Sequence, residues 1–475
     1  LGTIDGEFLI DNEEALEEYV ELTEYGYYFK KPIEVTVMAS DEKGENEAAS
    51  GVQSMIIYLK DHAEDIYYSV DENGTIEEIR AEDFEVNQLP SIPTEGEFKF
   101  AAPENFKGQI IAKAIDNVEN IGAFESIRGT IVESPTQHEM EEHIEMSIGK
   151  SSTGVDFNGK DLYDGDVDID LTVKDTYSGI EKIEWTVEAP FDTGNNQSGT
   201  LTINNDGSFK KGSDSEGWAP TKTDQNLVTE MVKTLNVNHN SNDIVIHVKM
   251  TDRAGNISEE ELTFSIDKTA PEIKIEYDYN DSDEENDYIY PEGRVATITI
   301  TERNFDPEDV LVDIINESGG EVPVISQWTT TYPEEGKNPD LTTHVATINF
   351  DQDGVYTFTM SYKDNAGNEA QPMETDKFII DKKAPEVSVT YDNNDGANGN
   401  YYKKERTATI EVREINFDEK RFAFKDTMPS SKDFPVLSEW VEVQPGVHQA
   451  TVSFTEDNYY EYDIEVSDKA GNKMS

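Results

Sequence analysis

The pentapeptide Asp-x-Ala-Gly-Asn constrains this chain more than any other feature. It stands at Asp252-Arg253-Ala254-Gly255-Asn256, at Asp364-Asn365-Ala366-Gly367-Asn368 and at Asp468-Lys469-Ala470-Gly471-Asn472. The first two copies lead into a matching run, Phe264-Ser265-Ile266-Asp267-Lys268-Thr269-Ala270-Pro271 and Phe378-Ile379-Ile380-Asp381-Lys382-Lys383-Ala384-Pro385. From Asp252 to Asp364 is 112 residues, and from Asp364 to Asp468 is 104. A degenerate copy, Asp116-Asn117-Val118-Glu119-Asn120, lies 136 residues before Asp252. A recurring unit of this kind means an array of small domains rather than one enzyme body. Its length is that of an immunoglobulin-like sandwich.

The last two repeats align segment by segment. Glu272-Ile273-Lys274-Ile275-Glu276-Tyr277-Asp278 matches Glu386-Val387-Ser388-Val389-Thr390-Tyr391-Asp392, and Asn304-Phe305-Asp306 matches Asn416-Phe417-Asp418. Apolar Ala296, Ile298 and Ile300 alternate with Thr297 and Thr299, the pattern of a half-buried strand in an antiparallel sheet. Earlier repeats carry similar strands at Ile33-Val35-Val37 and Val167-Ile169-Leu171-Val173, followed by Ser50-Gly51-Val52 and Ser178-Gly179-Ile180. Tyr356, Phe358, Met360 and Tyr362 alternate into Asp364, after which Ala-Gly-Asn turns the chain, with Gly supplying positive φ. The signature therefore predicts the last hairpin of each sandwich. Turn chemistry of this kind argues against the signature being a binding site itself.

Asp-x-Ala-Gly-Asn, Ile-Asp-Lys-x-Ala-Pro and the Ser-Gly-Val/Ile after a strand together resemble the bacterial immunoglobulin-like repeats of large Gram-positive surface proteins. The resemblance implies an exported protein, secreted or attached to the cell wall, often an adhesin. It implies no particular ligand. The expected fold is all-β, with four tandem immunoglobulin-like β-sandwich domains forming an elongated rod. Residues 1–11 read as the tail of a preceding repeat. Domains follow at 12–133, 134–267 (with a long insertion at 189–242), 268–381 and 382–475, the last lacking its final strand. Residues 12–24 read as a short helical turn followed by strand.

Composition narrows the function. Against 101 Asp and Glu stand 38 Lys and Arg, a formal net charge of -63. Such a chain repels phosphate backbones and anionic membranes, so nucleic acid is excluded as a partner. There is no cysteine, which removes thiol catalysis and Cys-ligated zinc. No leader and no apolar run of membrane-spanning length is visible, so no membrane insertion is expected in this fragment. Aromatic residues at 10% speak for packed sheets over disorder.

No nucleophile constellation, Walker A motif or dinucleotide fingerprint is present, so the segment reads as non-enzymatic. Two acidic loops, carrying Asp278, Asp281 and Asp283 and then Asp392 and Asp395, suggest calcium without matching an EF-hand. Asp164, Asp166, Asp168 and Asp170 alternate along one strand and read as a solvated outer face, the alternative being a calcium-binding carboxylate row. His138-Glu139-Met140-Glu141-Glu142-His143 places its histidines five apart. On a helix they diverge and on a strand they face opposite sides, so the segment reads as a solvated acidic linker, not a zinc site. Lys268 or Lys382 cross-linked to a signature Asn would need a buried pairing that boundary lysines do not promise. Trp185, Trp328 and Trp440 read as core, while Trp218, in a polar insertion, is the candidate ligand anchor. The reading that follows is a monomeric, surface-displayed segment binding a host protein or glycan through its first two domains. The alternatives are a pure stalk and an accessory region of a secreted glycoside hydrolase.

Overall fold

The computed structural model describes residues 5–9, 22, 24–41, 49–120, 122, 125–126, 128–280, 288–334, 337–397, 399–428 and 433–474. Of the residues read as a helical turn, only 22 and 24 are described, so that expectation lies outside the described residues. Among the described residues, the regular structure is strand apart from short helical turns. Two compact units emerge, Leu1–Lys268 and Thr269–Ser475.

The first unit holds two pairs of sheets. Strand Glu34–Ser40 lies between Asp5–Leu9, paired in parallel, and Glu97–Ala101, paired antiparallel. The opposing sheet is centred on Val52–Asp61 and Phe106–Asp116. Ile33, Val35, Val37, Ile57, Leu59, Phe106 and Ile110 fill one core between them. The second pair sets Val167–Lys174 and Leu227–Val237 against Ile180–Glu188, Ser241–Asp252 and Ile257–Ile266. Val167, Ile169, Leu171 and Val173 point inward while Asp168 and Asp170 face out, as the alternation requires. Asp168 accepts from Asn236 at 2.9 Å and Asp170 from Thr234 at 3.0 Å, so cross-strand donors serve this acidic face.

Residues 189–242 depart from the sequence expectation. They are not an insertion outside the sheets. Leu227–Val237 is an inner strand, flanked by Val167–Lys174 and Ala219–Asp224. Buried Leu227, Val228, Met231, Leu235 and Val237 hold it on the core side, and the neighbouring polar residues obscured that pattern. Gln197–Thr202 adds an edge strand beside Ile180–Glu188.

In the second unit the pattern repeats. Glu272–Tyr277, Arg294–Thr301, Thr343–Phe350 and Thr329–Thr331 form one sheet in that order. Glu386–Tyr391, Arg406–Arg413, Val447–Phe454 and Val441–Gln444 form another in the same order. Each faces a second sheet across a core of Ile, Ala and aromatic side chains. The partner of the last is two-stranded, Phe422–Asp426 with Tyr462–Val466.

Within the first unit the two sheet pairs are docked. Leu22, Tyr25, Ile131, Tyr177 and Leu227 form a small apolar cluster shared by both. The Asn226 side chain accepts from Tyr25 N and donates to Tyr25 O, both at 2.8 Å. Lys30 reaches the carbonyl of Gly255 at 3.2 Å.

Candidate metal centres

The signature turn is built around its aspartate. Asp252 Oδ1 accepts from Asn256 N at 2.7 Å, and Asn256 Nδ2 returns to Asp252 Oδ2 at 2.8 Å. The same closed pair links Asp116 to Asn120, Asp364 to Asn368 and Asp468 to Asn472. Gly255, Gly367 and Gly471 take φ of 90°, 100° and 97°, conformations L side chains rarely adopt. The degenerate copy puts Glu119 there, at φ 71°.

The Ser-Gly motif has a matching purpose. Asp175 Oδ1 accepts from Ser178 N at 2.9 Å and Gly179 N at 2.7 Å. Asp41 does the same for Ser50 Oγ and Gly51 N. In both cases a carboxylate is fixed by the turn that follows it, with Gly179 and Gly51 at φ 82°.

These local devices deliver carboxylates to one place. Strand Gly129–Val132 ends at Glu133, and Ser134 then caps a single helical turn, Pro135–His138. Glu133, His138, Asp175 and Asp252 converge there, all buried, with ligand atoms within 4.8 Å of one another. His138 Nδ1 lies 3.6 Å from Glu133 Oε1, 3.7 Å from Asp175 Oδ2 and 3.3 Å from Asp252 Oδ2. His143 stacks on His138, with ring centroids 3.8 Å apart. The acidic-linker reading of this segment is therefore overturned. The histidines are 4% and 6% exposed. They meet because the helix lasts one turn and the chain doubles back, so neither regular period applies.

Electrostatics follow from the burial. Burial alone would discharge His138, but Asp175, Asp252 and Glu133 overcome it and hold the imidazole protonated far above its ordinary range. Burial raises Glu133 and Asp175 above the usual carboxylate range. Asp252 is held below it, against the pull of its own burial, by His138 and Asn256.

The second unit carries an equivalent cluster without histidine. Asp381, which follows strand Asp376–Ile380, meets Glu414 and the signature Asp468. Asn416 Nδ2 donates to Asp381 Oδ2 at 2.6 Å, and Asn472 Nδ2 donates to the Asp381 carbonyl at 2.7 Å. Asn256 makes the corresponding bond to the Glu133 carbonyl at 3.2 Å. Burial, then the neighbouring Asp381 and Asp468, push Glu414 up to about 7. Buried clusters in both units could thus coordinate a metal ion. The signature, expected to be turn chemistry alone, supplies a carboxylate to each.

No family model and no curated protein matches this chain. Among solved structures, it is similar to one described as the crystal structure of a tetra-tandem repeat in the extending region of a large adhesion protein. That similarity spans 94% of both chains at 13% identity, with a TM-score of 0.38. A marsupial T cell receptor is similar over 68% of this chain and 100% of its own, at 11% identity and a TM-score of 0.24.

The residues singled out from sequence fall elsewhere. Trp218 is 6% exposed and packs edge-on against Trp185, with centroids 5.6 Å apart. It lies in the same core cluster as Trp185, so it offers no free face for a ligand. Asp278 and Asp392 each cap a strand, accepting from Val295 N at 2.7 Å and Thr407 N at 2.8 Å. Asp395 is exposed on its loop. Asp281 and Asp283 lie outside the described residues. Lys268 and Lys382 pair with Asp166 and Asp351 instead of approaching a signature Asn.

A separate cleft of about 640 Å³ opens in the first unit. Tyr25, Lys60, His62, Lys107, Tyr177 and Asp224 line it. Lys107 is itself buried, bonded to Thr176 O at 2.9 Å and Asp224 at 2.7 Å.

Proposed function

We propose that this chain is a non-enzymatic, repeat-built segment of an exported adhesin-type surface protein, made of four immunoglobulin-like sandwiches in tandem. Its first two repeats take a host glycoprotein, matrix protein or immunoglobulin. The observation that carries the binding reading is the cleft between Tyr25, Lys60, Lys107 and Tyr177. Its size suits a specific ligand group, and its walls combine aromatic faces with fixed charge. The cleft also lies where the chain departs from its regular repeat. Whole chain immobilised and exposed to serum and mucosal secretions should retain a defined protein or glycan. Lys60→Glu and His62→Ala should then weaken that capture. Capture that ignores both substitutions removes the cleft from the reading, and no capture at all leaves a stalk.

The stalk reading has its own support, the buried polar fastening that ties the end of one repeat to the signature of the next. Calcium belongs with it. Among the acidic sites, Asp381, Glu414 and Asp468 offer the all-oxygen ligand set that calcium prefers. They are better placed for it than the loops at Asp278, Asp392 and Asp395. Calcium that leaves the melting temperature of the chain unmoved would sink this part.

A further inference from the structure

We propose that Glu133, His138, Asp175 and Asp252 form a four-coordinate site for a divalent transition ion of the zinc class. The spacing is the first argument. The three carboxylate oxygens stand 3.3–3.7 Å from His138 Nδ1. Charge-assisted hydrogen bonds are shorter, about 2.7–2.9 Å. Ligands held about 2.1 Å from a tetrahedral ion are about 3.4 Å from each other, close to the three separations from Nδ1, and all the ligand atoms lie within 4.8 Å of one another.

Unsatisfied atoms are the second argument. His138 Nδ1, Glu133 Oε2 and Asp175 Oδ2 have no hydrogen-bond partner among the described residues, although all three are enclosed. Their residues are 4%, 1% and 0% exposed. Buried polar atoms without partners cost stability, and an ion in the cage would satisfy His138 Nδ1 and Asp175 Oδ2, which stand 3.7 Å apart, while drawing on the Glu133 carboxylate whose Oε1 lies beside them.

An outer layer already orients the ligands. His138 Nε2 lies 2.8 Å from Ser258 Oγ, which leaves Nδ1 to face the carboxylates. Asn256 holds Asp252, and the amides of Ser178 and Gly179 hold the far oxygen of Asp175. His143 stays outside the set. Its two ring nitrogens lie 2.8 Å from Lys174 O and 2.7 Å from His138 O, so both are committed to carbonyls. An imidazole nitrogen among hard oxygens favours zinc-class ions over calcium, in contrast with the all-oxygen cluster at Glu414. Binding displaces the Nδ1 proton to solvent and leaves a neutral ring on the metal.

The test uses the whole chain stripped of metal and then loaded with zinc or cobalt(II) in excess calcium. One zinc per chain should be retained, and affinity should fall about tenfold or more in His138→Gln. The cobalt form should show the intense visible absorption of four-coordinate cobalt, lost in the same variant. X-ray absorption of zinc-loaded wild type should show one imidazole in the first shell, a result independent of whether the variant folds. Three results would overturn the proposal: no zinc retained by wild type, meaning the protonated ring itself fills the cage; zinc held as tightly after His138→Gln; or a first shell with no imidazole or with two.

Discussion

The clusters at Glu133 and at Asp381 share a frame and differ in what stands inside it. Each takes a carboxylate from the end of one repeat, one from a turn after the first long strand of the next, and one from the signature. Each is tied by the signature Asn to the carbonyl of the preceding repeat. In the first unit a histidine enters from a one-turn helix that the second cluster does not use. In the second, the amides of Asn416 and Asn472 face the acids, and neutral amides cannot balance them. One frame can thus carry two kinds of balance, an internal cation and a proton or a metal. Local sequence between repeats decides which.

The largest test of that contrast is His138→Ala without metal. Removing the cation nearest Glu133, Asp175 and Asp252 from a buried ion cluster costs about 3–5 kcal/mol. Calorimetry should show the loss in the transition of the first unit, with the second unit unchanged. A loss below 1 kcal/mol would mean the acids are neutralised some other way.

Calcium is the next lever, acting in the opposite place. At a hundredfold excess over its dissociation constant it should stabilise the second unit by about 2.7 kcal/mol, and Glu414→Gln should abolish the gain. Equal stabilisation of both units would erase the distinction between the clusters.

The metal-free pH response is smaller. Glu414 has a folded value of about 7 against an ordinary 4.5, so the folded state binds the extra proton between these values. Its contribution is therefore full below about pH 4.5 and is lost as pH rises through 7. Denaturation of the second unit in chelator should become easier across that interval. A Glu414→Gln chain should lose this part of the dependence.

The smallest expected effect concerns the signature itself. Glu119 sits at φ 71° where the other copies have Gly. Glu119→Gly should stabilise the first repeat by about 1 kcal/mol in denaturant titration. A neutral or negative result would mean that Glu119 makes a compensating contact.

The strand pattern was legible because period-two alternation is local. Ile169 and Ile298 are buried as their neighbours predict, and the signature turns close as their Asp, Gly and Asn require. Trp218 misled because its polar sequence neighbours suggested a solvated loop. What buries it is Trp185, in a strand that precedes it in sequence by thirty-three residues, so its environment is long-range. The alternation of Met231, Leu235 and Val237 was the available signal that this region belongs to a sheet. Helix and strand periods misplace His138 and His143, because their segment follows neither for more than a turn. The clusters were invisible for a related reason. Asp252 and Asp468 are fixed locally, but their carboxylate neighbours arrive from chain far away in sequence.

The bonds from Asn256 to Glu133 and from Asn472 to Asp381 have a bearing on assembly order. The carbonyl ending one repeat receives its amide donor only when the hairpin closing the next repeat has formed. For a chain emerging N-terminus first, the repeat ending at Glu133 and the repeat ending at Asp381 are each completed by their successor, so in both units that seam sets after the signature hairpin behind it has closed. A break in one signature hairpin would leave two neighbours unfinished instead of one.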